Sequence, residues 1–156
     1  TVAANARSVP ALAGGKKLVV IARFTAELDA IEEMMRKRKV KYSVIRGCVK
    51  DRDVQIQKFQ SDPETMIFLG QVQAAGLGIT LTAASTMVFY SMDYSMSNFD
   101  QCKSRIHRIS QKENCHYVYL CCRDTVDMKV LRSLRNKINL AKTLVDDYRN
   151  GRNPYA

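Results

Sequence analysis

Apolar positions along the chain follow two rhythms that alternate from Leu18 onward. Leu18 to Ala22 (LVVIA) and Met66 to Leu69 (MIFL) are continuous apolar runs, the pattern of strands buried on both faces of a sheet. Tyr42 to Ile45, Met87 to Tyr90 (MVFY) and Tyr117 to Cys121 predict three further strands. Helical periods lie between them. Leu28, Ile31, Met34 and Met35 form a stripe behind a Thr25 cap, and that helix closes on Arg36, Lys37, Arg38 and Lys39, cations that complement a helix carboxyl end. Asp51 to Gln60 predicts a short helix, and a long last helix should bury Val130, Leu134, Ile138, Ala141 and Leu144 or Val145. Strands alternating with helices predict an α/β fold, a parallel sheet with helices on both faces and right-handed connections. Ligands then gather at the carboxyl ends of the strands, where the loops after Ala22, Ile45, Leu69 and Tyr90 share one rim.

A chain of 156 residues suits one domain with a core of ordinary size. Residues 1–16, with Pro10 and Gly14-Gly15, read as a linker or as a stretch that needs a neighbour. Residues 17–147 form the domain and residues 148–156 a tail. Gly14-Gly15-Lys16-Lys17 lacks the spacing of a phosphate-binding loop and precedes a strand instead of following one. The formal charge of +10 points to a polyanionic partner, most simply nucleic acid. An anionic membrane surface fits less well, since no helix joins a basic face to an exposed aromatic one, and no apolar run reaches the length of a span. The cysteines Cys48, Cys102, Cys115, Cys121 and Cys122 contain no C-x-x-C pair and match no zinc spacing, so no metal site is expected. They read as reduced, mostly buried thiols of a cytosolic protein.

The candidate chemistry sits in Asn98 to Gln111, NFDQCKSRIHRISQ. Ser97 offers an N-cap with Asp100 three places on. Read as one helix, the stretch puts Gln101, Arg105 and Arg108 on one line and Cys102, Ile106 and Ile109 on the next. The second line can pack on a core while the first presents two guanidiniums, whose planar donor forks suit phosphate oxygens. A solvated basic helix face is the plainer reading of the same residues. A second stretch, Gly70 to Ser85 (GQVQAAGLGITLTAAS), carries Gly76 and Gly78, which allow close backbone approach, and Gln71 and Gln73, which offer neutral amides.

QCKSRIHRISQ resembles the last conserved motif of superfamily-two helicases, in the QA-x-x-R-x-H-R-I-G-Q form of the Snf-type DNA-dependent ATPases. Ser110 stands where that family usually has Gly, and Cys102 where it usually has Ala. Gly70 to Ser85 is similar to the S-T-x-A-G-G-x-G-L-N-L-x-x-A motif, with Gln71-Val72 in place of Ser-Thr, Ala75 of the first Gly and Thr80 of Asn. LVVIARFTAELDAIEEMM resembles the family's opening strand and helix. In YSVIRGCVKDRDVQIQKFQ, Gly47, Arg52, Ile56 and Phe59 fall in register with a further motif. The glutamine-rich variants resemble Snf-type helicases of phages and bacterial mobile elements, which would place the protein in a bacterial or phage-infected cytoplasm, or otherwise simply inside a cell.

The resemblance implies a RecA-like three-layer sandwich acting as the second lobe of an ATP-dependent DNA helicase or translocase. It implies Arg105 and Arg108 as catalytic arginines, with Gln101, Gly76 and Gly78 beside them at the ATP. ATP and Mg2+ would be held mainly by an N-terminal RecA-like lobe, because this chain has neither a P-loop nor a D-E-x-H string, so the isolated lobe should not hydrolyse ATP. DNA is expected on the rim of Arg23, Thr25, Arg46, Gly47, Gln71 and Gln73, through its phosphate backbone. A basic α/β nucleic-acid-binding module without chemistry, and the same lobe acting in an RNA helicase, are the other readings.

Overall fold

Five parallel strands carry the architecture. The computed structural model describes residues 9, 13–47, 50–75, 78–122 and 125–149. The strands are β1 (Leu18–Ala22), β2 (Lys41–Ile45), β3 (Thr65–Gln71), β4 (Thr86–Phe89) and β5 (His116–Tyr119), and the helices are α1 (Thr25–Lys37), α2 (Arg52–Ser61), α3 (Val72–Ala75), α4 (Met96–Lys103) and α5 (Val126–Arg149). The sheet order is β2-β3-β1-β4-β5, with every neighbouring pair parallel.

Because β1 is central, its alternating side chains feed two cores. Val19 and Ile21 join Phe59, Phe68, Met87, Phe89, Phe99, Val130 and Leu134 on one face. Leu18, Val20 and Ala22 join Leu28, Ile31, Met35 and Val88 on the other. Helix α1 therefore covers one face, and α2, α3, α4 and α5 cover the other, giving the three-layer α/β sandwich of a RecA-like lobe. All five residues of β1 are fully buried, and burying an aliphatic side chain of this size contributes about 1.5–3 kcal/mol. Phe89, Phe99 and Tyr119 stack with centroids 4.8–5.7 Å apart and lock β4, β5 and α4 together.

Tertiary contacts moved several expected boundaries. Phe24, not Thr25, caps α1, and Glu27 three places on accepts a hydrogen bond from the Phe24 N–H at 3.1 Å. Strand β3 continues through Gly70 and Gln71, because β1 offers Ile21 and Ala22 as partners, so the crossover toward β4 starts at Val72. On α5, Val130 and Leu134 are buried and Ile138 is half-buried, but Val145 is exposed. Leu144 or Val145 was expected inside, and Val145 does not take that place. Ala141 and Leu144 lie outside the residues whose side chains are described. Within the stretch read as a linker, Val9 is fully buried in the α1-side core. Among the described residues, no helix is long and apolar enough to cross a membrane.

An ionic tie joins α1 to the end of β2. Arg46, at the end of β2, donates to Asp29 at 2.6 Å and to Glu32, whose side chain is only 10% exposed. Arg46→Ala should lower stability by about 1–3 kcal/mol, because it strips the principal donor from a buried carboxylate. Asp29→Ala, at the exposed end of the same pair, should change it by about 0–1 kcal/mol. Denaturant titration of the two variants checks the difference.

Candidate functional site

The arginine stretch is not one helix. Helix α4 ends at Lys103, and residues 104–110 continue as turns. Ser95, not Ser97, caps it, accepting from the Asn98 N–H at 3.2 Å. The line of Gln101, Arg105 and Arg108 therefore does not form. Gln101 is exposed and donates to Ser97 Oγ at 3.3 Å. Cys102 and Ile106 are fully buried as expected, but Ile109 is fully exposed. Because the backbone leaves the helix after Lys103, helical periodicity does not carry Ile109 inward.

The turn instead lays the two arginines against the crossover from β3 to β4. Arg108 donates to the Ile79 carbonyl at 3.3 Å, and the Leu81 N–H donates to the Arg105 carbonyl at 2.9 Å. Arg105 is only 7% exposed, whereas Arg108 is exposed. Burial first, and then the neighbouring charge of Arg108, hold the Arg105 pKa below the ordinary arginine value. Two guanidiniums that raise each other's cost are both relieved by an anion placed between them. An open depression beside them is lined by Thr80, Ser104, His107, Arg108, Ile109 and Ser110.

Gly78 has φ +66°, the left-handed region that favours glycine, while a Cβ built there meets nothing within 4 Å. Backbone conformation, not crowding, is what calls for glycine at that position. Gly76 lies outside the described residues. The crossover thus joins two sites. Gln73, near its start, lies at the rim beside Gln71 of β3, and its end, Ile79 to Ala84, meets the arginine turn.

At the rim, the register brings Ala22 beside Gln71 and Ile45 beside Gly70, so the ends of β1, β2 and β3 do lie together. Gln71 donates to the Arg23 carbonyl at 3.4 Å, and Gln73, Thr25 and Gly47 are exposed. Of the two rim arginines, Arg23 is exposed, its guanidinium 5.0 Å from the Phe24 ring centroid. Arg46 is turned onto Asp29 and Glu32.

Sequence reasoning missed two rim residues. Ser91 Oγ accepts from the Arg23 N–H at 2.7 Å and donates to the Glu27 carboxylate, which therefore occupies the positive end of α1. The signal for Glu27 was its place three residues after Phe24, a capping-box position hidden by taking Thr25 as the cap. Nothing local marks Ser91, which meets α1 only across the sheet.

This architecture is that of a RecA-like lobe. The helicase conserved C-terminal domain family matches residues 5–110, and the chain belongs to that family, among the Snf-type superfamily-two ATPases. It is 36% identical over 127 residues to the chromatin-remodeling ATPase INO80 of Mycosarcoma maydis, an alignment covering 80% of this chain and 7% of that protein. It is 29% identical over 138 residues to helicase SWR1 of Yarrowia lipolytica, covering 87% and 8%. To the INO80 ATPase of Arabidopsis thaliana it is 34% identical over 135 residues, covering 85% and 9%. The chain thus spans less than a tenth of each relative. The C-terminal part of the Fun30 ATPase domain shares the fold, with TM-score 0.74 and 24% identity over 79% of this chain and 40% of that one. These relatives come from two fungi and a plant, and they lend no support to a phage or bacterial mobile-element placement.

The cysteines behave less uniformly than expected. Cys102 is fully buried, its thiol 3.9 Å from the Val72 carbonyl, while Cys115, Cys121 and Cys122 are half-buried at the β5 side. Burial pushes the Cys102 thiol up to about 12, so at pH 8 only about one molecule in 10⁴ carries the thiolate. Alkylation of the native protein at pH 8 should label Cys115 well before Cys102. Peptide mass mapping checks the order, and Cys102 should react only after denaturant is added.

Proposed function

We propose that this chain is the second motor lobe of an ATP-dependent DNA helicase or translocase, which presents Arg105 and Arg108 to the ATP and the β1–β3 rim to the DNA backbone. The observation that carries the reading is the neighbouring guanidinium pair, one buried and one exposed, fixed against the crossover of a RecA-like lobe. Such a pair suits the equatorial oxygens of a transferring phosphoryl group, where charge develops and fixed cations stabilise it without reorganising. Burial holds Arg105 in place, and exposure lets Arg108 reach across a cleft. ATP and Mg2+ are held mainly by a first lobe with a P-loop. Arg23, Gln71, Gln73 and the start of α1 at Thr25 touch DNA phosphates. Arg46 and Gly47 shape the rim, with Arg46 acting chiefly through α1. Closure and opening of the cleft between the two lobes would then move a DNA strand past the loops on both.

In the two-lobed protein, Arg108→Ala should reduce ATP turnover by about 10³–10⁵, or roughly 4–7 kcal/mol of barrier. Arg108→Lys should recover little, because a point charge does not reproduce the planar fork. Steady-state ATPase assays decide it, and near-normal turnover in Arg108→Ala would remove the assignment.

Arg23→Ala should weaken DNA binding alike on unrelated sequences. It should lower the slope of log affinity against log salt by about 0.7–0.9, the loss of one phosphate contact. Arg36→Ala, on the outer end of α1, should leave that slope unchanged. Fluorescence anisotropy over a salt series measures both, and a larger effect at Arg36 would move the DNA path off the rim.

A further inference from the structure

We propose that Gln111 is a positioning residue for the arginine pair, its carboxamide holding the 105–111 turn against residues 82–84. The inference rests on the reading of Arg105 and Arg108 given above. Beyond Lys103 no helix holds these residues in place. Their position depends on a few separate hydrogen bonds, and Gln111 makes an unusual share of them. Its Nε2 donates to the carbonyls of Ala84 at 2.8 Å, Ile106 at 3.2 Å and Thr82 at 3.3 Å. Its backbone N–H closes the turn on the Arg108 carbonyl at 2.9 Å, and its Oε1 accepts from the Glu113 N–H at 3.1 Å.

One side chain therefore clips both ends of the arginine turn to the last part of the crossover. That strip is gripped from its other side by Gln60 of α2, whose Oε1 accepts from the Ala83 N–H at 2.8 Å and whose Nε2 reaches Thr82 Oγ1 at 3.4 Å. The crossover is thereby tied to a rigid helix, and the arginine turn is tied to the crossover. Only a carboxamide of this length suits the place, since it donates to several carbonyls through one nitrogen and still accepts through its oxygen. A carboxylate would set charge against three carbonyl oxygens, and a methionine would fill the volume without bonding.

Displacing a catalytic group by about 1 Å can cost about 10²-fold in rate. In the two-lobed protein, Gln111→Met should therefore lower kcat about 10²-fold with KM for ATP nearly unchanged. In an Arg108→Ala background the same change should alter kcat by no more than about threefold, because additivity fails when one residue acts through another. Hydrogen exchange on the same protein gives a readout independent of turnover. The amides of Leu81, Gln111 and Glu113 should exchange faster, while those of β1 keep wild-type protection. Gln111→Asn, which keeps the carboxamide and withdraws it by one methylene, should show the same masking and the same local exchange, and it stands in if the methionine variant unfolds. The proposal is overturned if these variants keep normal kcat while Arg108→Ala is inactive. It is equally overturned if their losses multiply with that of Arg108→Ala, or if protection falls throughout β1 in both. If Arg108→Ala itself turns over normally, the arginine assignment has failed, and with it the ground for this role.

Discussion

Leu18 to Ala22 must be buried on both faces, and the rest of the chain is arranged to meet that requirement. A strand apolar on every position is stable only in the middle of a sheet with a layer of helix on each side. Parallel pairing of β1 with β3 and β4 sets the register that brings Ala22 to Gln71 and Leu18 to Thr86. The same register decides which ends of the strands stand together, and so where a ligand can meet several loops at once.

A parallel sheet forces long crossovers, and the one from β3 to β4 has been put to use. It starts at the carboxyl end of β3, where Gln71 bonds to Arg23, and finishes beside the arginine turn, where Ala84 and Thr82 meet Gln111. Between Leu81 and Ala84 its backbone groups meet the side chains of Gln60 and Gln111 and the carbonyl of Arg105. Gly78 supplies the left-handed residue that the path needs.

Charge is distributed with the same economy. The chain is strongly basic, yet its cations are not equivalent. Arg46 stabilises the α1–β2 junction through Glu32, and Lys17 holds the carboxyl end of α2 through the Phe59 and Asp62 carbonyls. Arg23 lies over the Phe24 ring instead, and Arg108 donates to the Ile79 carbonyl. Net charge marks the class of partner, and local pairing decides which cations meet it.

The alternation of apolar runs and helical stripes was enough to specify a parallel α/β sandwich, because burial on two faces or on one stripe is written locally in each segment. Resemblance to the motifs of a family, not spacing alone, singled out Arg105, Arg108 and the glycine-bearing crossover as candidates. Side-chain direction was another matter. The arginine stretch read as a helix because its apolar residues repeat at helical intervals, but Ile106 turns into the core and Ile109 into solvent. Arg46 stood in the sequence as a rim cation, and its pairing with Glu32 of α1 could not be read there. The role of Gln111 and the link from Ser91 to Glu27 were invisible for the same reason. Hydrogen bonds and ion pairs join groups far apart in sequence, and only the packing of the sheet and its two helical layers decides which of them meet.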